Sequence, residues 1–201
     1  MGTGGLALWS RVAVVGSSGS GKTTFARGLA EALNISHVEL DSIFHQAEWT
    51  PINVEEFEAR VGEVVRGERW VIDGNYASVR DLVWSRAKVV VWLDLPLWRV
   101  MQQLVRRTVR RGLARQELWN GNRESWRNLV RRDPDLNILL SAWRTHSRLR
   151  VELPLAAEAP RNSQLRLVRL RSHHEADTFL AAIEAEAVPP EFDWAARGCR
   201  G

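Results

Sequence analysis

The 201-residue sequence is short of cysteine, of lysine and of long apolar runs. Its one cysteine, Cys199, excludes an internal disulfide framework and fits a reducing, cytoplasmic setting. That cysteine lies in a stretch, 189–201, opened by Pro189-Pro190 and expected to be a loosely ordered tail, which makes it a poor nucleophile. No run approaches the ~18 apolar residues of a membrane span. The short apolar stretch Leu6 to Trp9 has no basic region before it, so no secretory leader is expected. Only Lys22 and Lys88 are lysines; the other 26 of the 28 basic residues are arginine. Codon bias accounts for much of that excess, but the planar guanidinium fork also suits bidentate phosphate binding.

What remains is ordinary globular material: 45% hydrophobic, 26% charged, net charge +4. This length fits a single domain, here 1–188, carrying one insertion. Apolar, β-branched runs predict strands at Arg11–Val15 (RVAVV), His37–Asp41 (HVELD), Arg69–Asp73 (RWVID), Lys88–Asp94 (KVVVWLD) and 164–170 (QLRLVRL). Helical spacing predicts helices over Lys22–Leu33, closed by Asn34, and over Val54–Arg66, Ser78–Ser85 and Leu97–Arg111. Gly112 is expected to break the last of these. Helix returns to about Leu149, and a final one covers Glu175–Ala187. Strands alternating with helices give an α/β fold with a mainly parallel sheet and helices on both faces.

One motif carries specific chemistry. Gly16-Ser17-Ser18-Gly19-Ser20-Gly21-Lys22-Thr23 satisfies G-x-x-x-x-G-K-[ST] in full, between a predicted strand and a predicted helix. The glycines let successive backbone N–H groups turn inward on phosphate oxygens, and the following helix presents its N-terminal dipole to the same anion. This assigns Gly16 through Thr24 to the phosphates of ATP. Lys22 is expected on the β- and γ-phosphates and the Thr23 hydroxyl on Mg²⁺.

Ligands of open parallel sheets sit beyond the carboxyl ends of the strands. Asp41 and Asp73 are therefore expected near the loop, acting on Mg²⁺ through water or orienting an acceptor hydroxyl; Asp94 is the weaker candidate. Nine arginines between Arg106 and Arg132, with Gly112 and Gly121 as flexing points, predict a cationic lid at about 112–135. Arg107 and Arg111, one turn apart, are the residues assigned to the transferring phosphoryl group, ahead of Arg123 and Arg144. A solvated basic face is the plainer reading of any single arginine there. The same segment, interleaved with Trp119 and Trp126, also has the chemistry to contact nucleic acid. The five histidines show no metal-ligand spacing with a cysteine and are expected at the surface or at helix ends. Trp70 and Trp92 are expected in the core, and Trp49 and Tyr76 beside the acceptor.

The plan resembles the nucleoside monophosphate kinase group, which includes adenylate, shikimate and gluconate kinases. It resembles more closely the adenylate-kinase-like proteins known as DNA topology modulation proteins. The carriers are GSSGSGKTT, ELDSIFHQAEWTP, WVIDGNYASVRD, VVVWLDLPLWRV and RRTVRRGLARQELWNGNRESWRNL, collinear over residues 12 to 132. The resemblance implies a three-layer fold with a five-stranded parallel sheet in the order 2-3-1-4-5, ATP and Mg²⁺ as ligands, and a small-molecule phosphoryl acceptor. The sequence departs from adenylate kinases in having Asp73-Gly74-Asn75-Tyr76 without a following proline or arginine, in having no arginine between Arg27 and Arg60, and in having no cysteine in the lid. Phosphoryl transfer is thus better supported than AMP as acceptor, and an ATP-gated module with little turnover stays open as the alternative.

Overall fold

The computed structural model describes residues 8–114, 120, 138–159 and 162–185. The expected lid at 112–135 lies outside the described residues except for 112–114 and Asn120, and the tail with Cys199 lies wholly outside them. So do Arg123, Trp119 and Trp126, and of Arg111 only the backbone is described.

A five-stranded, wholly parallel sheet forms the centre, in the order β2-β3-β1-β4-β5. Its strands are β1 (Arg11–Gly16), β2 (His37–Glu39), β3 (Trp70–Asp73), β4 (Val89–Leu93) and β5 (Arg166–Leu170). Side chains alternate across the sheet with period two, and both faces are covered. Val12, Val14, Val89 and Val91 pack with Phe25, Leu29, Phe179 and Ile183 of α1 (Lys22–Leu33) and of the C-terminal α7 (His173–Glu184). Ala13, Val15, Ile72, Val90 and Trp92 pack on the other face. Their partners come from α3 (Val54–Val65), α4 (Ala77–Trp84) and α6 (Ile138–Glu158). Trp70 and Trp92 are both 2% exposed, so the strand tryptophans are core residues as expected.

Local signals set several boundaries. Asn34 caps α1 in the left-handed region at φ 52°, its N–H reaching the carbonyls of Ala30 and Glu31. Asn53 accepts from Glu56 N at 2.7 Å and starts α3. Ser172 does the same for Glu175 N, so α7 begins at His173 rather than at Glu175.

Two expectations need correction. The second strand stops at Glu39, and Asp41 lies in the first turn of a short helix, α2 (Leu40–Phe44). The chain turns there because Leu40 is drawn into the core at 2% exposure, below Gly74. Gly112 does not end α5, which runs unbroken from Leu97 to Ala114. One helical glycine costs about 1 kcal/mol relative to alanine. That is too little to break a helix whose Val100, Leu104 and Thr108 are fully buried.

Candidate active site

The loop between β1 and α1 is tightly constrained by its glycines. Gly19 and Gly21 sit at φ 87° and 84°, a region that side chains other than glycine's rarely adopt. A Cβ at Gly16 would lie 2.6 Å from Ser20 Oγ, and one at Gly19 2.8 Å from the Val100 carbonyl oxygen. Gly21 begins α1 with no side-chain cap, so the helix N-terminus keeps its donors for an outside acceptor. Ser20 is 1% exposed and its hydroxyl has no partner among the described residues. An orphaned buried donor, a left-handed turn and an uncapped twelve-residue helix are what a bound anion would complete, so the loop fits phosphate.

Four consecutive residues at the end of β3 organise this loop. Asp73, 2% exposed, accepts from Thr23 Oγ1 at 3.2 Å, and its other oxygen lies 2.7 Å from His37 Nε2. Gly74, at φ 146°, lets the chain pass where a Cβ would come within 2.7 Å of Leu40. Asn75 clamps the first residue of the phosphate loop: its Oδ1 accepts from Gly16 N at 3.1 Å and its Nδ2 donates to Gly16 O. Two such bonds contribute about 1 kcal/mol each and fix the loop's take-off from β1. Tyr76 then donates its hydroxyl to Asp41 Oδ1 at 2.7 Å. The Thr23–Asp73 pair is an all-oxygen donor set, which suits Mg²⁺. Among the described residues no group of three or more His, Cys, Asp or Glu side chains could hold a metal. Mg²⁺ held largely by water and nucleotide phosphates needs no such group.

Asp41 stands on the other side of Tyr76. Burial, then the Asp41 charge, then the hydrogen bond to Asp41, then the Asp73 charge all push the Tyr76 phenol well above its ordinary range. It therefore stays protonated and keeps donating. Around it lies an aromatic wall: Phe44 (centroids 4.6 Å from Tyr76), Phe57 (5.0 Å), His45, and Trp49 at 5.3 Å from the His45 ring. Glu48 and Trp49 both have positive φ, 57° and 58°, in a turn closed by Gln46 N to Thr50 O at 2.8 Å. Backbone strain of this kind gathers at ligand sites. Asn120, from the expected lid, donates to His45 O at 2.6 Å.

The structure thus brings together Gly16 to Thr24, Asp73, Asp41 and Tyr76, and sets Asp94 apart. Asp94 is 3% exposed and bonded to Arg150 Nε at 2.8 Å and Arg169 Nε at 2.9 Å. It ties α6 and β5 to β4. Arg107 is half-buried on α5, while Arg106 and Arg110 are exposed. The histidines correct an expectation, because His37 holds Asp73 and His146 is buried against the Leu95 carbonyl at 3.0 Å. His173 accepts from Gln103, and its ring lies 3.9 Å from where a Gly21 Cβ would be. Sequence reasoning missed Asn75 and His37. For Asn75 the signal was present: a polar residue immediately after the strand-end Asp-Gly. For His37 there was none, since its partner lies 36 residues away.

No family model matches the chain. Over 97 residues it is 35% identical to a shikimate kinase of Corynebacterium diphtheriae, a match covering 42% of this chain and 56% of that protein. Over 105 residues it is 30% identical to a shikimate kinase of Synechococcus elongatus, covering 45% and 55%. The chain thus spans just over half the length of the curated relatives it matches. Among solved structures, it is similar to a shikimate kinase from Acinetobacter baumannii in complex with shikimate, with TM-score 0.52 and 17% identity over 92% of this chain and 99% of that one. A shikimate kinase from Bacteroides thetaiotaomicron gives TM-score 0.50 and 15% identity over 87% and 96%. At these identities the likeness is one of fold: the α/β phosphate-loop kinase fold, with its five-stranded parallel sheet in the order 2-3-1-4-5.

Proposed function

We propose that the protein is an ATP-dependent small-molecule kinase that moves the γ-phosphoryl group to an acceptor hydroxyl. The single observation that carries this is the strip Asp73-Gly74-Asn75-Tyr76. It grips the phosphate loop through Thr23 and Gly16 and, through Tyr76, holds a second carboxylate, Asp41, at the same edge of the sheet. A module that only binds nucleotide has no use for that second carboxylate. Gly16 to Thr24 cradle the phosphates, and Lys22 reaches the β- and γ-oxygens. Thr23 and, through water, Asp73 would hold Mg²⁺, which when bound would neutralise charge on the phosphates. Asp41, oriented by Tyr76, receives the acceptor hydroxyl and takes up its proton. The adenine would lie toward the His173 ring, which stands 3.9 Å from where a Gly21 Cβ would be. Arg107 and Arg111 neutralise the charge that spreads over the transferring oxygens, and the arginine-rich segment at 112–135 covers the site against water.

The collinear resemblance over residues 12 to 132 supports placing the chain with the adenylate-kinase-like topology modulation proteins. The identity to shikimate kinases supports a small-molecule acceptor. The experiment is transfer from labelled ATP to a panel of nucleotides, sugars and hydroxy acids, repeated with Lys22→Ala. Transfer and ATP-dependent stabilisation should both vanish in that variant while the nucleotide-free melting curve stays put. Tight, Lys22-dependent ATP binding without transfer to any acceptor would instead favour the ATP-gated module, as the missing arginine between Arg27 and Arg60 does.

A further inference from the structure

Around Asp41, the described side chains differ from those that hold an anionic acceptor. A phosphate or carboxylate on the acceptor needs a cation opposite it, and buried or half-buried anions without one are strongly disfavoured. The chain from Gly28 to Ala59, which supplies β2, α2 and the strained turn, contains no lysine or arginine. Arg80, one helical turn beyond Tyr76, is held by Glu152 at 2.8 Å. Among the described residues, the charges that act on the Tyr76 hydroxyl are the carboxylates of Asp41 and Asp73. An anionic acceptor would meet two like charges.

Among the described residues, apolar and aromatic surface stands around Asp41 where an anionic acceptor would need a cation. Trp49 is 37% exposed at the tip of its left-handed turn, edge-on to His45. His45 lies 3.5 Å from the Tyr76 hydroxyl, and Tyr76 packs on Phe44. The His45 Nδ1 is buried and has no hydrogen-bond partner among the described residues. The rings meet tilted or edge-on, and the exposed Trp49 ring offers a flat face on which a planar or apolar molecule can stack.

We infer that the acceptor is an uncharged hydroxyl compound with a flat or apolar face, seated against Trp49 and His45 with its hydroxyl on Asp41. This rests on the kinase reading and narrows it. Transfer forms one P–O bond to the acceptor oxygen and breaks the bridging P–O bond of ATP, whose electron pair leaves with ADP. The hydroxyl proton passes to Asp41 and then to water.

The test uses matched pairs with ATP and Mg²⁺: a nucleoside and its monophosphate, an aldose and its aldonate, an aryl-substituted diol and its carboxylated analogue. ADP release and phosphorus NMR of the product are followed. For at least one pair the neutral member should be phosphorylated with kcat/KM about tenfold or more above its anionic partner. For that substrate, Trp49→Ala should raise the acceptor KM about fivefold and leave the ATP KM unchanged. Preference for the anionic members overturns this inference and leaves the kinase reading standing, as does an acceptor KM indifferent to Trp49→Ala. No transfer to any member, with Lys22-dependent ATP binding intact, overturns the kinase reading and this inference together.

Discussion

Two buried aspartates stand at the carboxyl ends of β3 and β4, the strands on either side of β1, and one pair of substitutions separates the jobs proposed for them. Asp94 has a side chain 2% exposed, facing Arg150 and Arg169, whose side chains are 46% and 26% exposed. Removing one partner of a fully buried ion pair costs about 3–5 kcal/mol, because the other charge is left stranded. Here both arginines reach water and recover part of that loss, and Asp94→Asn keeps one acceptor oxygen. A cost of about 2–3 kcal/mol follows. At roughly 2–4 °C per kcal/mol for a chain of this size, the melting midpoint should fall by about 4–12 °C. Nucleotide binding should survive, since Asp94 makes no contact with the phosphate loop among its recorded partners.

Asp73→Asn should do the reverse. Its carbonyl oxygen still accepts from Thr23, but the charge proposed to help hold Mg²⁺ is gone. ATP at a hundredfold excess over Kd stabilises a protein by about 2.7 kcal/mol. That increment, read as the midpoint shift on adding ATP and Mg²⁺, should collapse in Asp73→Asn and persist in Asp94→Asn. Thermal melts of both variants with and without ATP·Mg²⁺ make the comparison. An Asp94→Asn protein that melts like the parent but ignores ATP·Mg²⁺ would refute the assignment.

Tyr76→Phe should lower kcat about 10- to 100-fold, the worth of a hydrogen bond to a charged group, with ATP affinity unchanged. The pH dependence follows from the raised phenol: above pH 10 the unfolded phenol ionises and the folded one does not. Its contribution is therefore fully present below pH 10 and is lost above it by about 1.4 kcal/mol per pH unit, a slope that Tyr76→Phe removes in alkaline denaturation series. Gly19→Ala places a methyl 2.8 Å from the Val100 carbonyl oxygen at φ 87°, so calorimetry should show at least about 1–2 kcal/mol lost, and ATP binding with it.

How much was legible in the sequence depended on the reach of the interaction. The sheet was readable because β1, β3 and β4 are apolar runs and β5 alternates, and Asn34 ended α1 where a left-handed cap was required. The phosphate loop was readable because its constraints are local. Asp41 was assigned to a strand because HVELD alternates plausibly, but the edge strand stops at Glu39 once Leu40 is pulled into the core. Asp94 read as a companion of Asp73, and only the arrival of Arg150 and Arg169, 56 and 75 residues later, makes it structural. Asn75 read as a departure from a known motif, yet it closes the loop by reaching Gly16 across 59 residues.

The arginines of α5 look interchangeable in the sequence, and helical geometry separates them. A Cβ on Gly19 would meet the Val100 carbonyl oxygen and Leu104 Cβ, so one stripe of α5 lies against the phosphate loop. Gln103, on the same stripe, reaches His173 beside Gly21. Stepping by three and four residues from Val100 and Leu104 leads to Arg107, and the next position on that stripe is Arg111. Arg106 and Arg110 instead line an open groove with Met101, Val105, Val109 and Leu139, away from the loop. Arg107→Ala should therefore lower kcat by at least about a hundredfold, the usual cost of losing one preorganised charge on a transferring group. Its ATP KM should barely move, since the contact strengthens chiefly in the transition state. Arg106→Ala and Arg110→Ala remove the same charge from the same helix and should leave kcat within about twofold, which controls for loss of overall field. Steady-state kinetics on the three variants is sufficient. Equal losses in all three would mean that α5 acts through bulk positive charge, and the stripe argument would fail.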